Sequence, residues 1–515
     1  MPRAALAAMR DLRASRDVIV RMADKNMGIC VVSRAWYLAQ CLAHLSANRD
    51  FALLTAAETE ALLANTRQER LNVLRTLGQC RAQHGTTAQF QGFPFRTYLR
   101  WMRGQEVEDA CLPVFYCIIK VHKTPVKTRP ISACTTWLTT PVSQVCAAEL
   151  RELVRKHLPH VLEDSRSLVR MLEDVRVPLH FSADSVVFMT ADIEGLYTNI
   201  PIDAAINAVV EFCARRGTDF AALMRSWLTF VFRHAAVQFG ERVYLQKHGF
   251  PMGTALSTDA ANVYVALCED VQGIYVHQKL AVAAGLAEDS LLLFARLIDD
   301  YTIVLGGADD AAVARTKAEV DRRLAPLRVE WAISRSAMAT LDLYVFKADD
   351  FNTSRRFEYR TYQKPGNRYQ FLPFSSEQPA AVFRGVIKSE VTRHAVNCSR
   401  YSDFVHMVSL YKLRQLSRGF PPHLLYRWVS EVDWSVRERV LARPAGDARA
   451  PHRQPLYLKL RYDAISAAIG ATRLVQQTAK FWSERMPQFW DRIVVCWTKG
   501  KTVREMTMSS ADAAE

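Results

Sequence analysis

Residues 291–305 read LLLFARLIDDYTIVL, two apolar runs flanking the adjacent aspartates Asp299 and Asp300. This is the pattern of a hairpin with an acidic tip. A desolvated carboxylate must be paired or bound to a metal, and two side by side repel each other, so a strand ending in such a pair favours a divalent cation. A second apolar run, SVVFMTA at 185–191, ends on another acid, Asp192, and is followed by a loop and Pro201. It reads as a buried strand with a carboxylate at its end. An isolated Asp-Asp more often just caps a hairpin in solvent, so the surrounding residues have to decide between the two readings.

The rest of the chain is compatible with a large enzyme. Its 515 residues exceed one ordinary hydrophobic core, which suggests three or four packed units. Half of the residues are apolar and 23% are charged, ordinary globular composition that argues against extended disorder. Lys and Arg outnumber Asp and Glu by 67 to 52, a net charge of +15 that favours a polyanionic partner such as nucleic acid but also fits an anionic membrane surface. The eleven cysteines form no CxxC pair and no Cys/His cluster at zinc spacing, which fits a reducing compartment. No apolar run approaches the ~20 residues of a membrane span, and the opening MPRAALAAMR has no secretory apolar core, so no membrane association is expected.

Along the chain, residues 1–90 read as mostly helical, with apolar spacing near 3.6 over 51–77. The run FYCIIKVHKTPVKTRPIS at 115–132 has β-branched and aromatic stretches around a Lys/Pro/Thr turn, which predicts a hairpin. Helix follows over 145–172 and 203–235, a strand over 242–246, and helix again over 255–268 after the turn-rich GFPMG. Strand, helices and hairpin in this order suggest an α+β unit with an antiparallel sheet covered by helices on one face. After Lys364 the chain is basic and reads as mainly helical to its end, with an Ala/Arg/Pro-rich linker at 442–455.

Three strings, ADIEGLYTNIP, QKHGFPMGTALSTDAANVY and RLIDDYTIVL, resemble in order and separation the palm motifs of reverse transcriptases, and more specifically those of Penelope-like retroelements. Telomerase reverse transcriptase is a more distant likeness. The resemblance extends to ADKNMG at 23–28, to the 115–132 hairpin, to TLDLYVFK at 340–347, and downstream to KPGNRYQFLPFSSEQP, RGVIKSEVTRHAVNCS and SRGFP. It implies a right-hand polymerase with an antiparallel-sheet palm (181–350), a fingers hairpin (within 101–180), a mainly helical thumb (351–440), an N-terminal helical region (1–100) and a C-terminal helical extension (441–515).

The same resemblance implies that Asp192 and Asp299 are the principal metal ligands, with Asp300 the adjacent acid and the Ile193 carbonyl an extra ligand. The cofactor expected is a pair of Mg²⁺ ions, with Mn²⁺ as an alternative. Tyr197 occupies the position at which a ring excludes a ribose 2′-hydroxyl, which points to deoxynucleoside triphosphates (dNTPs). Arg129, with Lys123 as its partner, matches the fingers cation that lies along the triphosphate. Lys120, His122 and Lys127 stay open between phosphate contact and solvated turn. Gly253, with Gly249, Pro251 and Met252, would let the backbone pass close to nucleotide and template, and Gln246 and Ser257 would support that turn. Arg384, Lys388, Arg393, Lys412, Arg414 and Arg418 supply charge for gripping a template–primer duplex of RNA and DNA through its phosphates.

The chain departs from the family pattern at Ser376-Glu377-Gln378-Pro379, where Gln stands for the usual His. It also shows no recognisable GIY-YIG endonuclease, which fits an element extending existing 3′ ends, or a truncated or domesticated copy. The expected activity is RNA-directed DNA synthesis. The rivals are an RNA-templated RNA polymerase and a non-catalytic nucleic-acid-binding protein that keeps the fold. The family resemblance implies residence in the nucleus.

Overall fold

The computed structural model describes residues 3–46, 50–84, 89–90, 93–94, 111–135, 137–216, 221–269, 276–442, 456–461 and 493–498. The fold class is α+β, as the sequence predicts. The described chain forms two compact units. The larger is built from residues 16–341 and 345–357, and the smaller from described residues among 3–15, 342–344 and 358–508.

At the centre of the larger unit is a four-stranded antiparallel sheet in the order Leu291–Leu297, Asp300–Leu305, Val187–Ile193, Val329–Ser334. Side chains alternate along a strand, and Val187–Ile193 uses this fully. Val187, Met189, Ala191 and Ile193 face a core shared with the helices Thr140–His157, Ile202–Arg215, Ala221–Arg233, Ala255–Glu269 and Asp310–Leu324. Phe188, Thr190 and Asp192 face the other way. Phe188 is fully buried against Phe357, with ring centroids 5.2 Å apart, whereas Asp192 at the far end of the same face reaches solvent with its carboxyl only partly desolvated. Helices therefore cover one face of the sheet, and the acid end of the other face stays open.

A second sheet of five strands runs Phe51–Leu54, Arg242–Gln246, Ala236–Phe239, Val114–Lys120, Lys127–Ala133. Its last two strands are the predicted Lys/Pro/Thr hairpin, in antiparallel register with Ile118 opposite Arg129. The described N-terminal region is mostly helix, with Arg3–Ala14, Arg34–Leu45 and Ala56–His84, but it also carries strands that the helical periodicity did not indicate. Val18–Met22 and Ile29–Ser33 pair as a hairpin, and Phe51–Leu54 pairs with Arg242–Gln246. The β-branched runs VIVRM and ICVVS find partners there, so tertiary pairing overrides the helical periodicity around them.

The smaller unit is mainly helical, with Ala380–Val396, Tyr401–Leu416, Pro422–Val429 and Val436–Leu441 packed around Phe383, Ile387, Val391, Phe404, Tyr411, Phe420 and Trp428. The expected C-terminal helical extension is corrected where it is described: Leu456–Arg461 and Ile493–Thr498 form two parallel strands. The predicted linker lies almost wholly outside the described residues. Among the described residues no helix is long and apolar enough to cross a membrane.

Candidate active site

The three predicted carboxylates sit at one end of the central sheet. Asp300 and Asp192 are directly opposite in register, and so are Asp192 and Glu330, so Asp300, Asp192 and Glu330 form a row across the open face. They border a cleft of about 260 Å³ that is also lined by Thr190, Trp331, Ala339 and Thr340. Glu330 was not singled out from the sequence, because an acid in a half-exposed strand carries no signal until register places it beside Asp192.

Asp299 lies in the two-residue turn between Leu297 and Asp300. The residue before it, Ile298, has φ 61°, a left-handed conformation costly for a β-branched side chain. The turn is held from both sides. Ile193 N–H donates to the Asp299 carbonyl (3.1 Å), and Arg296 donates to the Ile298 carbonyl (2.8 Å). Burial raises the Asp192 carboxyl above its ordinary range, with repulsion from Asp299 and then Glu330 adding to it. Burial likewise raises Asp299.

Beneath this turn Arg296 is completely buried. It donates to Glu269 Oε1 (2.6 Å), to Asn262 Oδ1 (3.0 Å) and to the Asn262 carbonyl (3.1 Å). Glu269 also contacts His160 Nε2 at 2.8 Å and accepts from the Tyr301 hydroxyl. Burial alone would raise Glu269, but Arg296 and His160 outweigh it and hold its carboxyl down at about 2. The only hint of this network in the sequence is one Arg in an apolar run three residues before the acids.

A second cleft, of about 540 Å³, is lined by Arg129, Tyr197, Gln144, Met252, Gly253, Thr254, Ser257 and Thr258, among others. Its size is within the ~300–1,000 Å³ usual for small-molecule sites. The 249–254 loop that forms its wall is fixed at several points. Phe250 stacks on Phe232 with centroids 4.2 Å apart, Ser132 N–H donates to the Met252 carbonyl (2.8 Å), and the Ser257 hydroxyl donates to the Pro251 carbonyl (2.8 Å). Gly253 has no substitute there, since an added Cβ would lie 1.9 Å from the Ser132 carbonyl oxygen. At Gly249 a Cβ would lie 2.7 Å from the Tyr197 carbonyl oxygen, which also accepts from Phe250 N–H at 2.6 Å. Tyr197 is thereby clamped by its backbone, and its hydroxyl pairs with Thr258 Oγ1 at 3.0 Å.

Arg129 meets Asp24 of the N-terminal hairpin at 3.3 Å and keeps 41% of its side chain exposed. Lys123 is exposed in the turn of its hairpin, near enough to act on Asp192. Gln246 is buried and donates to the His248 carbonyl (3.0 Å), so it braces the loop and is not among the residues lining the cleft. The Ile193 side chain belongs to the core.

The expected duplex-binding cations lie in the smaller unit and are more engaged than a free basic face would be. Arg384 and Lys388 share Glu431, at 2.8 and 3.2 Å. Arg393 is tied to Glu390 at 2.6 Å, and Arg414 donates to Gln363 while stacking 3.5 Å from the Tyr369 ring. Lys412 lies over Tyr426, and Arg418 is half-buried, its carbonyl accepting from Phe374 N–H at 3.0 Å.

Among the described residues no three His, Cys, Asp or Glu side chains converge into a ready-made metal site. Mg²⁺ does not require one, since it commonly takes one or two carboxylates and completes its shell with water and substrate phosphates. The donor set of Asp192 and Asp299, both oxygen ligands and both raised by burial, has the chemistry to hold such an ion.

The geometry thus defines an α+β unit with a row of acids on an open sheet face and an Arg-bearing cleft. No family model and no curated protein matches the sequence. Solved structures similar to it include telomerase from Candida albicans in complex with a fragment of telomeric RNA, at 9% identity and TM-score 0.49, covering 80% of this chain and 62% of that one. The RNA-dependent RNA polymerase of a human picorbirnavirus is similar at 9% identity and TM-score 0.42, covering 85% and 88%. Apo telomerase from Candida tropicalis is similar at 9% identity and TM-score 0.38, covering 67% and 58%. The chain therefore spans about three-fifths of the length of these two telomerase chains.

Proposed function

We propose that this protein is an RNA-directed DNA polymerase that extends a primer 3′ end with dNTPs, of the kind found in Penelope-like retroelements. One observation carries the reading: Arg129, Tyr197 and Gly253, each singled out in the sequence for the incoming nucleotide, line one cleft. The ordered sequence motifs support the same assignment.

In this reading the incoming triphosphate enters the cleft between Arg129 and the 249–254 loop, whose wall keeps its shape because Gly253 packs directly on the Ser132 carbonyl. Arg129 offers a planar fork and Lys123 a mobile charge, and both offset negative charge that develops on the leaving pyrophosphate. Tyr197 packs where a ribose 2′-oxygen would lie and so selects the deoxy sugar. Asp192 and Asp299 would hold Mg²⁺, which when bound lowers the pKa of the primer hydroxyl and screens the phosphates. Asp300 and Glu330 extend the negative row beside them.

Primer extension on an RNA template, with dNTPs and NTPs compared, tests this proposal. Synthesis should need dNTPs and fall by about a thousandfold or more in Asp299→Ala, with duplex binding retained. Preference for NTPs would favour an RNA polymerase, and binding without incorporation a non-catalytic role. Tyr197→Ala should admit ribonucleotides; unchanged exclusion would place the gate at another residue.

A further inference from the structure

The segment Ala23–Gly28 of the N-terminal hairpin is absent from the mechanism above, yet it lies against the phosphate side of the site. Ala23 forms a parallel bridge with Ile119 of the Lys/Pro/Thr hairpin, and its N–H donates to the Gly28 carbonyl at 2.8 Å, closing a tight loop. Within that loop Asp24 makes two different contacts. One carboxylate oxygen accepts from the Lys25 backbone N–H at 3.0 Å, and the other meets Arg129 at 3.3 Å. A single side chain therefore ties the backbone of Lys25 to Arg129.

Lys25 itself is exposed and has φ 55°. A left-handed conformation at a non-glycine residue is costly, and it persists where the surroundings impose it, often at ligand-clamping sites. Glycine would remove the strain. An exposed lysine kept in such a conformation needs a reason other than folding. Its place supplies one: the preceding residue, Asp24, pairs with Arg129, and Ala23 bridges Ile119 next to Lys120, so Lys25 belongs to a loop seated on the basic hairpin.

We propose that Lys25 is a triphosphate-binding residue, set beside Arg129 by Asp24, so that the Ala23–Gly28 loop forms a wall of the nucleotide site. The inference rests on the polymerase reading for the identity of its ligand. Lys25 supplies a mobile point charge, and Arg129 a directional fork held in place by Asp24. Because the contact is with phosphates, a triphosphate gains much more from it than a monophosphate.

The test uses the full chain bound to an RNA template and a DNA primer ended by a dideoxynucleotide, so that binding is measured without chemistry. The Kd of the matched dNTP and of its monophosphate is measured for wild type, Lys25→Gly and Lys25→Arg, together with thermal stability and, on an extendable primer, incorporation. Lys25→Gly should weaken dNTP binding about tenfold, the factor that ~1.4 kcal/mol represents. Its Tm should hold or rise, and Lys25→Arg should restore most of the affinity. A residue with only a structural role would leave dNTP affinity unchanged in Lys25→Gly, since glycine suits its backbone. Unchanged dNTP affinity in Lys25→Gly overturns this inference and leaves the polymerase reading intact. Normal dNTP binding that Lys25→Gly weakens, with no incorporation by wild type, upholds the phosphate contact and overturns the polymerase reading. Failure of the wild-type complex to bind any dNTP overturns both.

Discussion

Replacing Arg296 with methionine should be among the most damaging single changes in this chain, although Arg296 touches no solvent. Methionine fills much of the same volume but removes the donors to Glu269, Asn262 and the Ile298 carbonyl. Glu269 is then a buried carboxylate without its principal cation, and at neutral pH it must take up a proton. From an ordinary value of 4.5 that costs about 3 kcal/mol at pH 7, at ~1.4 kcal/mol for each tenfold step. The orphaned Ile298 carbonyl adds about 1 kcal/mol, giving a total of about 4 kcal/mol, within the ~3–5 kcal/mol seen when one partner of a buried pair is lost. Urea unfolding at pH 7, followed by tryptophan fluorescence, should show the midpoint falling in Arg296→Met and in Glu269→Gln. The double variant should be little worse than either single one, because each has already broken the same interaction. Single costs below about 1 kcal/mol, or costs that add in the double variant, would refute the argument that the acid turn rests on this pair.

Other expectations follow from the same geometry. The folded value of Glu269 is about 2, below its ordinary 4.5, so its contribution of about 3 kcal/mol is complete above pH 4.5 and is lost as pH falls towards 2; acid unfolding curves should show that loss in wild type and not in Glu269→Gln. Gly253→Ala should cut dNTP incorporation by at least about a hundredfold, the scale of a ~1 Å misplacement, while far-UV circular dichroism stays unchanged. Asp192→Asn should abolish synthesis yet raise Tm by about 1–2 °C in EDTA, because burial and the neighbours Asp299 and Glu330 already disfavour its charge; a fall in Tm would show that the carboxylate is structural.

Parts of both sheets were legible because their signals are local: in the central sheet an apolar run ending on Asp192 and an Asp-Asp between two strands, and in the second sheet a Lys/Pro/Thr turn between β-branched stretches. Tyr197 and Gly253 were identified through a resemblance, and the structure places both on the cleft that also bears Arg129. What could not be read depends on partners distant in sequence. Asp24 gains significance only beside Arg129, Glu330 only opposite Asp192, and Arg296 only against Glu269. The same limit explains the N-terminal region, where Phe51–Leu54 is a strand because Arg242–Gln246 is there to pair with it. Gln246, expected to support the turn, is buried and donates its amide to the His248 carbonyl. The cations of the smaller unit were singled out by their charge and their place after the palm motifs, and neither gives warning that Arg393 and Arg414 are already engaged within that unit.

The grip of Gly249 and Phe250 on the main chain of Tyr197 bears on how such a protein can change. The mount is backbone against backbone, so the side chain at 197 can be exchanged without disturbing what holds it. Under the proposed function, sugar preference becomes a replaceable fitting on a rigid bracket: drift or deliberate redesign can retune it in one step, whereas any change to the bracket itself would displace the loop and the cleft together.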